Sequence, residues 1–278
     1  MSTDSPLFQK LHQSSKRVSI DGVTYWVVEG DTLLDEDQLL LYAQQQEALR
    51  NARAAAAAAQ RAELPLVGIT ERSTDLVGTV ENSRVVRWSA ELDISYCVLR
   101  QTFVEGGEAG YQLIVKNMQK AAKEWENTCG VRFVYKPGLD ASDRLRPKDV
   151  LFSVREFGAG GKFIASAFFP NEPANRRRLL IDPSYYLPGL RFNKVGVLRH
   201  ELGHVLGFRH EQIRSEAPPG CPDEHTYGTI NLTEYDPQSV MHYFCGGVGT
   251  EALSITEKDK IGAQKVYGPP LGTFLFVR

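Results

Sequence analysis

At 278 residues, 42% hydrophobic and 24% charged, the chain has room for a real core in one large domain or two modest ones. A formal net charge of −2 gives no electrostatic reason to expect nucleic acid or an anionic membrane surface as a partner. No apolar run approaches the roughly 18 residues a transmembrane helix needs, and residues 1–30 lack the continuous apolar stretch of a secretory signal.

In chain order, residues 1–20 are polar and expected to be loosely ordered. Residues 23–28 read as a short strand ending at Gly30-Asp31. From about 36 to 62 the chain is rich in Gln, Leu, Arg and Ala without glycine or proline, which predicts one long helix stopped near Pro65. Residues 66–87, with Gly68 and Gly78, read as a linker between this head and a main domain starting near Trp88. There, 92–99 suggests a strand. Tyr111, Ile114, Val115, Met118, Ala122 and Trp125 then recur at helical spacing, with Gly130 as the expected stop. Strands follow at about 131–135, 150–154, 163–169 and 178–182. A second helix opens near Asn193, a good N-cap, with Val195, Leu198, Leu202 and Val205 on its core face. A last helix spans about 257–267, with Thr256 as N-cap, Asp259 at N3 and Gly268 as its stop.

Cys97, Cys129, Cys221 and Cys245 allow two disulfides in three connectivities, or four reduced thiols. No C-x-x-C pair exists, which argues against a separate cysteine zinc site. A bridge between Cys221 and Cys245 would brace a loop-heavy region.

The most informative segment is residues 200–211, His-Glu-Leu-Gly-His-Val-Leu-Gly-Phe-Arg-His-Glu. On a helix, His200 and His204 share a face, and Glu201 lies about 100° around the axis, able to approach water without ligating a metal. Gly207 permits the positive φ that turns the chain back, so His210 can supply a third ligand from outside the helix. Three neutral imidazoles suit one catalytic zinc ion per chain, leaving a coordination position open; cobalt and copper are not excluded by the ligand type. His12 and His225 each stand alone and read as solvent-exposed.

The pattern H-E-x-x-H-x-x-G-x-x-H with a downstream methionine resembles the metzincin zinc peptidases. Phe208, Glu211, Arg214 and the run Ser239-Val240-Met241-His242-Tyr243 are similar to the astacin family within them. The resemblance implies an α+β, metzincin-type zincin over residues 88–278. Its expected form is a twisted mixed five-stranded sheet and active-site helix above an irregular C-terminal subdomain with one helix. It further implies Met241 in a tight turn beneath the ligands, and Tyr243 able to bind zinc or swing to the substrate oxyanion. Val28-Glu29-Gly30-Asp31 resembles the family's F-x-G-D pro-segment motif, with valine for phenylalanine. By that resemblance Asp31 is a possible zymogen latch at zinc's open position, and residues 1–87 are a pro-like segment.

The implied function is a zinc-dependent endopeptidase acting on proteins or peptides, with Glu201 as the base and Tyr243 assisting. An extended substrate is expected along the strand edge near 163–169. The family favours a secreted or extracellular location, although the chain shows no recognisable signal. In the family, the glutamate at the position of Glu211 contacts a trimmed N-terminus. After Arg214 the chain departs from the family pattern. A matrixin-like metzincin and a catalytically inactive binding protein on the same fold remain alternatives; oligomeric state is open.

Overall fold

The sheet at the centre of the protein has two unlike faces, and that difference organises the rest. The computed structural model describes residues 5–61, 76–81, 84–221 and 228–272, which form five α-helices and eleven strands. The head contains α1 (Pro6–Ser14), β1 (Lys16–Ile20), β2 (Val23–Val28), β3 (Thr32–Leu34) and α2 (Glu36–Arg61). The remainder contains β4 (Val77–Glu81), β5 (Arg84–Val85), β6 (Ile94–Val98), α3 (Gly107–Glu126), β7 (Phe133–Tyr135) and β8 (Phe152–Glu156). It continues through β9 (Ala165–Ser166), β10 (Arg178–Ile181), α4 (Lys194–Val205), β11 (Thr229–Asn231) and α5 (Glu257–Tyr267).

The five-stranded sheet has the order β7-β6-β8-β10-β9, parallel except for β9, which runs antiparallel at the edge. Alternation sends Phe152, Val154, Leu179 and Ile181 to one face. There they meet Tyr111, Ile114, Met118 and Trp125 of α3 and Leu198, Leu202 and Val205 of α4. The register pairs Arg178 with Ser153 and Leu180 with Arg155, so the other face carries two arginines around a single leucine. The hairpin β1-β2 covers that face through Val18, Ile20, Tyr25 and Val27, which pack with Leu180, Ala159 and Phe163. The opposite side of β2 presents Trp26 and Val28 to Phe8 of α1 and to Leu39, Leu40 and Ala43 of α2. Covered on both sides, β2 is apolar in consecutive positions rather than alternating ones.

Several expectations need correction. Residues 5–20 are not loosely ordered. Ser5 caps α1, accepting from the Phe8 amide at 3.0 Å, Pro6 opens the helix, and β1 pairs along its whole length with β2. Much of the expected linker is also built in. Strand β4 pairs with β5 and β11, and Leu76 is 1% exposed in the main core. The remaining part, residues 62–75 and 82–83, lies outside the described residues, as does His225. Helix α3 ends at Glu126, before Gly130. Gly130 is instead a close-approach position, because a Cβ there would lie 2.4 Å from the Tyr267 carbonyl oxygen. His12 is half-buried, its ring 4.7 Å from that of Trp26. Cys221 and Cys245 form a disulfide, while Cys97 and Cys129 are buried thiols.

The place of Leu76 is testable. Leu76→Ala should destabilise the protein by about 2–4 kcal/mol, as core truncations do. Denaturant unfolding that shows a change below about 0.5 kcal/mol, the range of a surface position, would return this residue to a linker.

Candidate metal centre

Helix α4 starts where Asn193 Oδ1 accepts from the Gly196 amide at 2.9 Å, and this N-cap sets the phase that puts His200 and His204 on one face. Trp125 Nε1 donates to the Arg199 carbonyl at 2.8 Å, fixing α4 against α3. At its far end Gly207 takes φ +94° and lies so close to the Val86 carbonyl that a Cβ would sit 2.6 Å from it. Strand β4 braces the returning chain: Thr79 N donates to Gly207 O at 2.9 Å and Arg209 N to Val77 O at 2.7 Å. That brace delivers His210 to the other two histidines.

Each helix imidazole is held through its Nδ1, which donates to a carbonyl: His200 to Val240 at 2.8 Å and His204 to Phe208 at 2.8 Å. The Nε2 atoms are thereby turned inward as lone-pair donors. His204 Nε2 and His210 Nε2 are 3.1 Å apart, and His200 Nε2 is buried without a hydrogen-bond partner. Zinc–nitrogen bonds of about 2.0–2.1 Å in a tetrahedron separate ligand atoms by roughly 3.3 Å, so the spacing and the orphaned nitrogen both fit a bound ion. Burial pushes the His204 pKa down to about 4, which keeps this imidazole neutral and able to ligate at neutral pH.

Asp31 reaches this centre from the head. Its Oδ1 lies 3.3 Å from His210 Nε2 and 3.7 Å from His204 Nε2, and its Oδ2 lies 3.4 Å from His200 Nε2. One potential ligand atom from each of these four buried residues falls within 4.8 Å of the others. Burial opposes the ionised carboxylate, but the imidazoles around it hold its pKa well below the usual range. Tyr243 donates its hydroxyl to Asp31 Oδ2, and its ring stacks on His200 with centroids 5.1 Å apart. Gly30, at φ +92°, passes so near that ring that a Cβ would lie 3.0 Å from Tyr243 Cε2.

Glu201 is 2% exposed, and its Oε2 has no hydrogen-bond partner. Burial, reinforced by the Asp31 charge, raises its pKa well above the usual range. Beside Glu201 and Tyr243 opens a cavity of ≈ 360 Å³, lined by apolar residues including Phe192, Val197 and Leu253. Met241 is fully buried beneath the centre. Its turn is tied to α5 by Asp259, which accepts from Ser239 Oγ at 2.5 Å and from Val240 N at 2.8 Å. Asp259 also completes the capping box with Thr256.

Sequence reasoning left Glu29 and Arg209 without a role. Arg209 Nη2 donates to both Glu29 oxygens at 2.7 Å, and Tyr42 donates to Glu29 Oε1 at 3.2 Å. Glu29 Oε2 also lies 3.6 Å from His210 Nδ1. Burial works against the Glu29 carboxylate, yet Arg209 and His210 hold its pKa at about 2. The available signal was positional, since each residue sits within two positions of a candidate ligand. Glu211 accepts from Arg214 Nη1 at 3.1 Å and from Asp236 N at 3.0 Å, and burial pushes its pKa up to about 8. In this structure the partners of Glu211 are internal.

The tight seat of α4 on the methionine turn predicts a sharp response. A Cβ at Gly203 would lie 2.3 Å from Met241 Sδ. Gly203→Ala should therefore cost about 1–3 kcal/mol and weaken zinc binding, read by thermal unfolding and by competition with a chromogenic chelator. Unchanged stability and affinity would show that the turn does not support the ligands.

No family model matches the chain. It is 38% identical over 73 residues to high choriolytic enzyme 1 of Oryzias latipes, covering 22% of this chain and 25% of that protein. It is 42% identical over 62 residues to embryonic protein UVS.2 of Xenopus laevis, covering 18% and 12%. Against the dorsal-ventral patterning protein tolloid of Drosophila melanogaster it is 24% identical over 141 residues, covering 45% and 12%. The chain thus spans about a quarter or less of the length of these relatives. Among solved structures, myroilysin aligns over 70% of this chain and all of its own, with 18% identity and a TM-score of 0.47. These relatives agree with the resemblance to the astacin family carried by the motif at 200–210 and the run Ser239–Tyr243.

Proposed function

We propose that the protein is a zinc-dependent endopeptidase that cleaves proteins or peptides and is held latent by its N-terminal segment. One observation carries this reading: three buried imidazoles converge with a carboxylate that comes from some 170 residues earlier in the chain. His200, His204 and His210 would hold the ion, and Asp31 would occupy the remaining position until the segment leaves.

Zinc in such a site supplies Lewis acidity toward a peptide carbonyl and lowers the pKa of water towards about 7. Glu201 then takes the water's proton and passes it to the departing amine. The Tyr243 hydroxyl, now engaged with Asp31, turns to donate to the oxyanion of the tetrahedral species. An extended substrate pairs with the edge strand β9. In the latent form Asp31 withholds both the open position and the tyrosine.

In this proposal residues 1–87 hold the pro-like segment and residues 88–278 the peptidase unit; the part released as the head ends before β4, and β4 and β5 stay with the peptidase unit by pairing with β11. No helix among the described residues is long and apolar enough to cross a membrane. The Cys221–Cys245 disulfide supports an oxidising, extracellular setting.

Chelator-sensitive cleavage of casein by protein whose head has been released is the decisive assay. Its absence from zinc-loaded protein would leave a binding role. Glu201→Gln should lower kcat at least 10³-fold while zinc content stays near one per chain; retained turnover would remove the assigned base. Asp31→Ala should raise the activity of the unprocessed chain at least tenfold, and unchanged latency would count against the latch. Zinc should be retained at neutral pH and lost as acid protonates the imidazoles, measured by metal content after dialysis at stepped pH.

A further inference from the structure

The head covers a face of the sheet that is basic, and it does so with acidic residues set out along one hairpin. At the hairpin turn, Asp21 takes a two-pronged bond from Arg155, with Nη1–Oδ1 at 3.1 Å and Nη2–Oδ2 at 2.8 Å. Midway along, Tyr25 lies under the Arg178 guanidinium, 4.9 Å from its ring centroid, and Asp35 pairs with Arg176. At the cleft end, Glu29 pairs with Arg209. From Asp21 to Glu29 the strand covers roughly 25 Å at 3.3 Å per residue. Between the arginines, Leu180, Phe163 and Ala159 form a small apolar patch that receives Val18, Ile20 and Val27.

A sheet face meant for permanent burial would carry Val, Ile or Leu at the positions of Arg155 and Arg178. These arginines are 4% and 7% exposed under the hairpin, and the Nε atom of each is buried without a hydrogen-bond partner. Once the head departs, Arg155 and Arg178 lose the carboxylate and the ring that now cover them and Arg176 loses Asp35, keeping only Glu172 at 3.9 Å, so the face is left with a net positive charge. Building on the latency reading, we infer that this face is a docking surface for an acidic segment of the protein substrate. The head's own hairpin occupies it in the latent state. The occupant is a polypeptide rather than a sulfated polysaccharide because the complement already present combines planar carboxylates, an aromatic ring and aliphatic side chains. A uniform array of sulfates would leave the Leu180–Phe163 patch uncovered.

The test uses the full chain with a specific protease site inserted between residues 62 and 75, cleaved and freed of its head in high salt. The probes are a fluorescein-labelled 15-residue peptide with four aspartates, one tyrosine and two valines, its asparagine analogue, and heparin. With Glu201→Gln as the background, the acidic peptide should bind at least tenfold more tightly than its analogue at 50 mM NaCl, with or without zinc. The difference should shrink to twofold or less at 0.5 M NaCl and in Arg176→Gln or Arg178→Gln. Arg176 is partly exposed, so its variant guards against misfolding at Arg178. In the zinc-loaded parent, a substrate carrying the acidic segment should show a KM about tenfold lower with kcat unchanged. Equal binding of the two peptides, or heparin binding that neither peptide displaces, would overturn the inference, the arginines then serving only to keep a released face soluble. Absence of all cleavage with the binding difference intact would refute the peptidase reading while leaving the surface in place.

Discussion

The structure turns on one buried carboxylate. An ionised aspartate that is 3% exposed costs several kcal/mol to desolvate and persists only where opposing groups surround it. Asp31 finds one such group in the hydroxyl of Tyr243, and its oxygens face the inward nitrogens of three imidazoles, where a shared cation would satisfy both. Reaching them imposes conditions on its neighbours. Gly30 must have no side chain against the tyrosine ring, and Glu29, itself at φ +52°, must find Arg209. The hairpin must lie on the sheet so that the chain leaves β2 pointing into the cleft.

The frame around this carboxylate is rigid because each imidazole is held from behind. Two accept their orientation from backbone carbonyls outside the head, those of Val240 and Phe208. Those carbonyls are in turn fixed by Asp259 under the methionine turn and by β4 against the loop that follows α4. The imidazole arrangement therefore does not depend on the head for its first two members. His210 differs, because the Glu29 carboxylate lies beside its Nδ1. The head thus contacts the centre twice, once at the metal position and once behind the third histidine.

Local patterns were legible wherever one periodicity or one cap decided the outcome. Asn193 and Thr256 opened their helices as expected, the five strands of the sheet lay near their expected positions, and the glycine-free run from 36 became α2. Errors arose where long-range packing overrode local composition. The polar stretch before residue 20 is ordered by Phe8 and Trp26 beneath α2, and the glycine-containing stretch near 78 becomes a strand because β11 and the Phe208 loop pair with it. Gly130 looked like a helix stop, yet its absent side chain makes room for a carbonyl from the end of α5.

By itself the sequence singled out the candidate ligand set and the candidate base. Imidazoles four residues apart on a helix must share a face, and a glycine turn must follow before a third can join them. Only the tertiary structure decided what meets those groups. Glu29 and Arg209 are 180 residues apart, and nothing in either local pattern announces that burial will force them together. The pairing of the head's acids with the sheet's arginines has the same origin: a charge leaves water only when folding supplies its partner, and that partner is a property of the whole fold.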